Sequence, residues 1–265
     1  MWEEPCISGT LGSGTVFFGG CNLRCRFCQN YQISRNGNGV TMDENQLANL
    51  FLRVANSGVH NVNLVTPQHY SNVIARALAK VKHKLPVPVV YNTNSYESVG
   101  ALANLEGLVD VYLPDFKFVD STLAQNLCGA GNYFEVASKA LVEMLRQQPN
   151  NLFDNNGILQ RGVIVRHLVL PSQVEDSKRV LDFLASVDKS ITVSVMSQFF
   201  VANHDDKYPF LNRKLTKREY QNVVDYFFNV GLTNGYMQDT SSATQDYLPT
   251  FDVADVIKFL SGENQ

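Results

Sequence analysis

The chain has 265 residues, of which 45% are hydrophobic and 18% charged, so it is too long for a lone small module and gives no compositional case for disorder. Its 22 Lys+Arg against 25 Asp+Glu leave a net charge of −3, without the basic block that phosphate binding requires, so nucleic acid is excluded as an expected partner. No apolar run approaches the roughly 18 residues of a membrane span, and Met1-Trp2-Glu3-Glu4-Pro5 lacks the basic and apolar regions of a secretory signal. A cytoplasmic location with no membrane partner is expected. Five cysteines, an odd number in a chain that needs no disulfides, point to a reducing compartment and to metal or catalytic roles.

Along the chain, short β-branched runs alternate with segments of helical period. Thr15 to Phe18 reads as the first strand. Thr41 to Glu44 has capping-box spacing, and Leu47, Leu50, Phe51 and Val54 then share one helical face until Gly58. Asn61 to Thr66 is the second strand, and Ser71 caps a helix carrying Ile74, Ala77, Leu78 and Val81. Strand Val87 to Asn92 precedes a short helix over Ser95 to Leu105, and strand Leu108 to Leu113 precedes a helical region over Tyr133 to Gln148. After a polar turn from Pro149 to Gly157 come strand Gly162 to Leu170, a helix over Glu175 to Val187 and strand Ile191 to Ser197. Thr216 and Glu219 form a capping box for a helix to about Val230, and Asp252 to Leu260 reads as a terminal helix.

Six βα units argue for a parallel sheet, because each parallel connection needs a crossover and right-handed crossovers curl the sheet one way. The expected fold is α/β, a partial (βα)6 TIM-like barrel in a single domain with a C-terminal helical extension. Residues 1–14 read as a Gly-rich lead-in, 15–200 as the barrel core and 201–265 as the extension.

Cys21, Cys25 and Cys28 follow the first strand with three and then two residues between them. Chance produces such a triple with a probability of roughly 0.002, given the number of cysteines and the chain length. A structural zinc site uses four protein ligands and a bacterial ferredoxin run supplies a fourth cysteine nearby, whereas the next cysteine here is Cys128. Three thiolates suit a cubane with one iron left open. In a parallel barrel, ligands gather at the carboxyl ends of the strands. There stand Tyr91-Asn92-Thr93-Asn94, Asp115-Phe116-Lys117, Arg166 within an otherwise apolar run, and Gln198. A buried guanidinium needs an anion, and a bound carboxylate would serve.

The cysteine pattern resembles the signature of the radical S-adenosylmethionine superfamily, in which three cysteines hold one [4Fe-4S] cluster and the open iron chelates S-adenosylmethionine. The resemblance implies Cys21, Cys25 and Cys28 as cluster ligands, with Phe27 along the adenine. One electron from the reduced cluster would cleave the cofactor to a 5′-deoxyadenosyl radical that takes hydrogen from a substrate. Tyr-Asn-Thr-Asn, Leu-Pro-Asp-Phe-Lys and Val-Arg-His-Leu-Val-Leu-Pro resemble strand ends of pyruvate formate-lyase activating enzymes and their homologues. By that likeness Asn92, Asp115, Lys117 and Arg166 contact the cofactor or the substrate beside it; Gln198, which closes the sixth strand, is a further candidate by its place at the barrel mouth. The Gly-Gly-Glu stretch that receives the cofactor's amino group in many relatives is absent, and Thr66-Pro67-Gln68 stands in its place, so backbone carbonyls there or Gln68 must take that task, with Thr66 a further cofactor-contact candidate.

The implied substrate is a backbone glycine of a glycyl-radical enzyme, with flavodoxin or ferredoxin as the electron source. The alternatives are a small molecule or peptide substrate, a non-catalytic iron–sulfur or zinc module, and an electron-transfer protein. The opening glycines match no phosphate-loop fingerprint, and the five histidines lack paired metal spacing, with His69 alone reserved as a group that could act on substrate. Asp205 to Glu219 reads as a solvated mixed-charge face or a partner site.

Overall fold

A computed structural model describes residues 3–201, 204–238 and 253–261. Four strands follow one another in chain order: β1 (Gly14–Phe17), β2 (Val62–Val65), β3 (Val89–Thr93) and β4 (Val111–Pro114). Then come β5 (Leu152–Phe153), β6 (Leu159–Leu168), β7 (Thr192–Met196) and β8 (Gly235–Met237). The sheet runs β1-β2-β3-β4-β6-β7-β8 with every neighbour on that path parallel, while β5 folds back antiparallel on β6. All six predicted strands are present, in an open parallel sheet that forms a partial TIM-like barrel. Two further strands arise where the sequence predicts a turn and a helical extension. Both are very short, and such runs carry no readable alternation.

The helices are α1 (Pro5–Ser8), α2 (Tyr31–Asn36), α3 (Glu44–Ala55), α4 (Ser71–Val81), α5 (Val99–Ala103), α6 (Ser121–Cys128), α7 (Tyr133–Gln147), α8 (Val174–Val187), α9 (Lys217–Asn229) and α10 (Val253–Ser261). Several starts differ from expectation. The capping box of α3 is Asp43 with Gln46, because the Asp43 carboxylate accepts from the Asn45 and Gln46 N–H groups. Ser71 does not cap α4, which is entered through a 3-10 turn over Gln68–Tyr70. The helix read over Ser95 to Leu105 shrinks to α5, since Ser95 takes a φ of 63° and Ser98 becomes the cap. The Thr216–Glu219 box opens α9 as predicted. Asp252, the first residue of the predicted terminal helix, lies outside the described residues, as do residues 1–2 and, within the predicted extension, 202–203, 239–252 and 262–265. No helix among the described residues is long and apolar enough to cross a membrane.

Strand alternation divides the apolar side chains in two. Val89, Tyr91, Tyr112, Val163 and Val165 join the main core under the helices. Val90, Val111, Leu113, Leu159 and Ile164 turn inward and meet Cys6 and Ile7 of α1. The N-terminal segment thus fills the barrel interior from below, and the space above it is left to polar groups.

Gly162 shows how closely β6 is packed at its start. Its φ is 139°, and a Cβ there would lie 2.0 Å from Asn151 Oδ1 and 2.8 Å from Asn151 Cα. That side chain accepts from Val163 N–H at 2.8 Å and donates to Thr192 Oγ1 at 2.9 Å. Gly162→Ala must displace Asn151, and a loss of about 2 kcal/mol is expected from overpacking and backbone strain. Urea unfolding followed by circular dichroism checks it; an unchanged midpoint would refute the packing account.

Candidate radical-chemistry site at the barrel mouth

The segment after β1 crosses the carboxyl ends of the strands, held by backbone pairing that the sequence did not announce. Arg24 N–H donates to the Cys128 carbonyl and Arg26 N–H to the Leu127 carbonyl, each at 2.9 Å, so the cysteine loop is laid along the end of α6. Arg35 Nη2 donates to the Cys25 carbonyl at 3.0 Å. Arg26 pairs with Asp205 at 2.9 Å and lies 5.0 Å over the Tyr208 ring. The start of the stretch read as a solvated face therefore clamps the cysteine loop.

Below the loop is a cavity of about 230 Å³. Cys21, Cys25, Phe27 and Cys28 line it from the loop, Thr66 from the end of β2, Asn92 from β3, Asp115 and Lys117 from beyond β4, Arg166 from β6 and Gln198 from beyond β7. Ten of the eleven predicted site residues therefore converge. Gln68 is the exception. It does not line the cavity, and its amide donates to Asn22 Oδ1 at 3.0 Å and toward Cys21 Sγ at 3.9 Å. Thr66 does face the cavity, in a left-handed conformation at φ 59° that is costly for a β-branched residue, with its N–H on the Asn92 carbonyl.

All three thiols are free. Burial pushes the Cys21 and Cys28 thiols up, whereas the hydrogen bond from Cys128 holds Cys25 below the ordinary thiol range, with Cys128 itself well above it. Three sulfurs on one wall, with no histidine or carboxylate interleaved, are the donor set an iron–sulfur cluster uses. The residues present fit the group that the spacing implies.

The charged groups of the cavity are paired within the chain. Lys117 Nζ lies 2.6 Å from Asp115 Oδ2. Burial works against the ammonium, but the negative charge around it, from Asp115 foremost, outweighs burial and holds Lys117 well above its ordinary range. Arg166 does not wait for a ligand carboxylate: its Nε and Nη2 donate to the two oxygens of Glu4 at 3.0 and 2.5 Å. Phe27 meets Phe118 edge-on at 6.1 Å, and Gln29 Nε2 donates to the Gln198 carbonyl at 2.9 Å. His69, reserved as a group that could act on substrate, lies 2.8 Å from the Gly19 carbonyl and does not line the cavity. Among the described residues, no three His, Cys, Asp or Glu side chains form a group that could hold a single metal ion.

Asn94, which the sequence shows at the end of the third strand without singling it out as a contact, also lines the cavity; its amide donates to Asn22 Oδ1 at 2.8 Å and toward Cys21 Sγ at 3.5 Å. Other residues escaped the sequence reading altogether. No local signal links Glu4 to Arg166 or Cys128 to Cys25, whose sulfurs are 3.1 Å apart. Glu97 was also unforeseen. It is buried behind Thr93, accepting from the Thr93 hydroxyl at 2.6 Å and the Tyr91 hydroxyl at 3.1 Å.

Burial pushes the Glu97 carboxyl up to about 7 from an ordinary 4.5. The folded chain therefore binds more protons than the unfolded one between these values, so this group's contribution is full below 4.5 and is lost as the pH rises through 7. Glu97→Gln is expected to gain stability relative to the parent from pH 5 to 8, by at most about 3 kcal/mol. Paired melting curves across that range check the sign, and a gain that shrinks with rising pH would refute it.

The Radical SAM superfamily profile matches residues 15–184. Uncharacterized protein MJ0674 of Methanocaldococcus jannaschii is 30% identical over 223 residues, which are 80% of this chain and 61% of that protein. Among solved structures, Streptococcus suis SuiB bound to S-adenosylmethionine superposes with a TM-score of 0.59 at 14% identity, over 92% of this chain and 54% of that one. Methylornithine synthase (PylB) gives 0.53 at 17% identity, over 95% and 82%. Those two likenesses concern the fold alone, and the chain spans only 61% of the curated relative's length. The profile match covers the cysteine loop and the strands that carry the cavity as far as β6, and on it the chain belongs to the radical SAM superfamily.

Proposed function

We propose that the protein holds one [4Fe-4S] cluster on Cys21, Cys25 and Cys28, binds S-adenosylmethionine in the cavity beneath it, and abstracts hydrogen from a backbone glycine of a glycyl-radical enzyme. The observation that carries the radical chemistry is the convergence of three free thiols and a half-buried Asp115–Lys117 pair on one cavity. The cluster, when bound, supplies the electron that cleaves the cofactor to methionine and a 5′-deoxyadenosyl radical. The chain's part is binding and exclusion. Lys117 presents an ammonium kept charged chiefly by Asp115, suited to a carboxylate; Asn92 and Thr66 offer polar contacts; Phe27 offers an aromatic face for adenine. Apolar Leu168, Leu170, Met196 and Phe118 wall the cavity against water.

The glycine substrate is supported by the strand-end motifs that resemble activating enzymes. Exposed Arg24 and Arg35 beside the cysteines suit an acidic electron donor such as flavodoxin or ferredoxin. The test is anaerobic reconstitution with iron and sulfide, reduction with dithionite in the presence of S-adenosylmethionine, and mass spectrometry for 5′-deoxyadenosine. Product is expected. A fully loaded, reducible cluster that yields none would favour a non-catalytic module, and one equivalent of zinc without visible absorption would sink the radical reading. A glycyl-radical electron paramagnetic resonance signal in an added partner enzyme identifies the substrate class.

A further inference from the structure

Each of the three cluster thiols has a neutral hydrogen-bond donor from a different part of the fold. Cys21 Sγ is approached by the Leu23 N–H at 3.4 Å and by the Asn94 and Gln68 amides at 3.5 and 3.9 Å, from beyond β3 and β2. Cys25 Sγ lies 3.1 Å from the Cys128 thiol at the end of α6. Cys28 Sγ lies 3.3 Å from the Ser34 hydroxyl in α2. Cys128 and Ser34 are buried, where a polar hydrogen without a partner costs free energy. Their sulfur contacts meet that need.

We propose that Asn94, Cys128 and Ser34 are positioning residues that donate hydrogen bonds to the three cluster thiolates and raise the cluster's reduction potential. The inference rests on the cluster assignment made under the proposed function. Its physical basis is charge: adding an electron places more negative charge on the sulfurs, so a donor aimed at a sulfur stabilises the reduced form more than the oxidised one. The surroundings strengthen the effect. Among the described residues, the cations lining the cavity, Lys117 and Arg166, are already paired with Asp115 and Glu4, so neutral donors add a contribution of their own at the sulfurs. The three donors come from separate elements, and the sulfur bonds of Cys128 and Ser34 do not run through the Asn22 side chain that Asn94 and Gln68 hold. A role confined to bracing Asn22 would account for Asn94 and Gln68 alone.

The test uses the full chain, reconstituted anaerobically, with iron and sulfide content measured and the midpoint potential followed by electron paramagnetic resonance. Ser34→Ala, Cys128→Ala and Asn94→Ala are expected to load as the parent does. Each should lower the one-electron reduction constant about tenfold, a shift of about 59 mV to more negative potential. Cys128→Ser, which keeps a donor, is expected to stay close to the parent. Unchanged midpoints in loaded alanine variants overturn the inference, as does a Cys128→Ser shift as large as that of Cys128→Ala. Should Cys128→Ala fail to load, Ser34→Ala removes a single oxygen from a helix and decides the matter. A parent that takes up no [4Fe-4S] cluster overturns the proposed function and this inference with it, whereas a loaded parent with unmoved variants overturns the inference alone.

Discussion

Alanine at Cys21, Cys25 or Cys28 is expected to leave a folded chain that retains no intact cluster and forms no 5′-deoxyadenosine, while Cys6→Ala keeps both. The contrast follows from position. The three thiols sit on a loop held by backbone bonds to the end of α6 and by Arg35, so losing one sulfur removes a ligand and leaves the support in place. Cys6 is buried in the barrel interior with Ile7, Val90 and Leu113, far from any cluster role, and its loss leaves a small cavity worth about 1 kcal/mol. Iron and sulfide analysis, the visible spectrum and the product assay on the four variants check this. Retention of a full cluster by Cys25→Ala would refute the ligand assignment, and loss of it in Cys6→Ala would show that the barrel interior supports the loop.

The second large effect concerns the plug below the cavity. Glu4→Ala is expected to destabilise the fold by about 3–5 kcal/mol, because it strands a buried guanidinium. Arg166 and Glu4 have side chains only 10% and 3% exposed and share two parallel hydrogen bonds. Burial by itself raises the Glu4 carboxyl, but Arg166 outweighs it and holds the group below the ordinary carboxylate range. The pair's stabilisation is accordingly present above about pH 4.5 and is lost as the pH falls through the lowered value. Replacing both partners by apolar residues of similar size, Glu4→Leu with Arg166→Met, should recover most of the loss, since no unpaired charge remains. Chemical denaturation of the single and double variants at pH 7 measures it. A single variant within about 1 kcal/mol of the parent would show that water reaches Arg166 when Glu4 is gone.

Much of the site was readable because its signals are local. The spacing of Cys21, Cys25 and Cys28 lies within eight residues, and the strand ends at Asn92, Asp115 and Arg166 each announce themselves by a polar residue breaking an apolar run. Gln68 illustrates the limit of such reading. It stands at the right place in the chain for a cavity contact, but the turn over Gln68–Tyr70 directs its amide to Asn22. The five-residue α5 shows another, since a left-handed Ser95 broke a segment whose apolar period extended further.

Composition, apolar period and cysteine spacing were enough to specify a parallel α/β chain with a thiol-rich loop at its mouth, because each is written within one turn, one strand or one loop. The partners of those groups were not. Glu4 reaches Arg166 across 162 residues and Cys128 reaches Cys25 across 103, and β8 finds its place beside β7 through register rather than composition. Such pairings depend on how strands align and how the first helix enters the barrel, and packing that joins distant segments leaves no periodic trace in either of them.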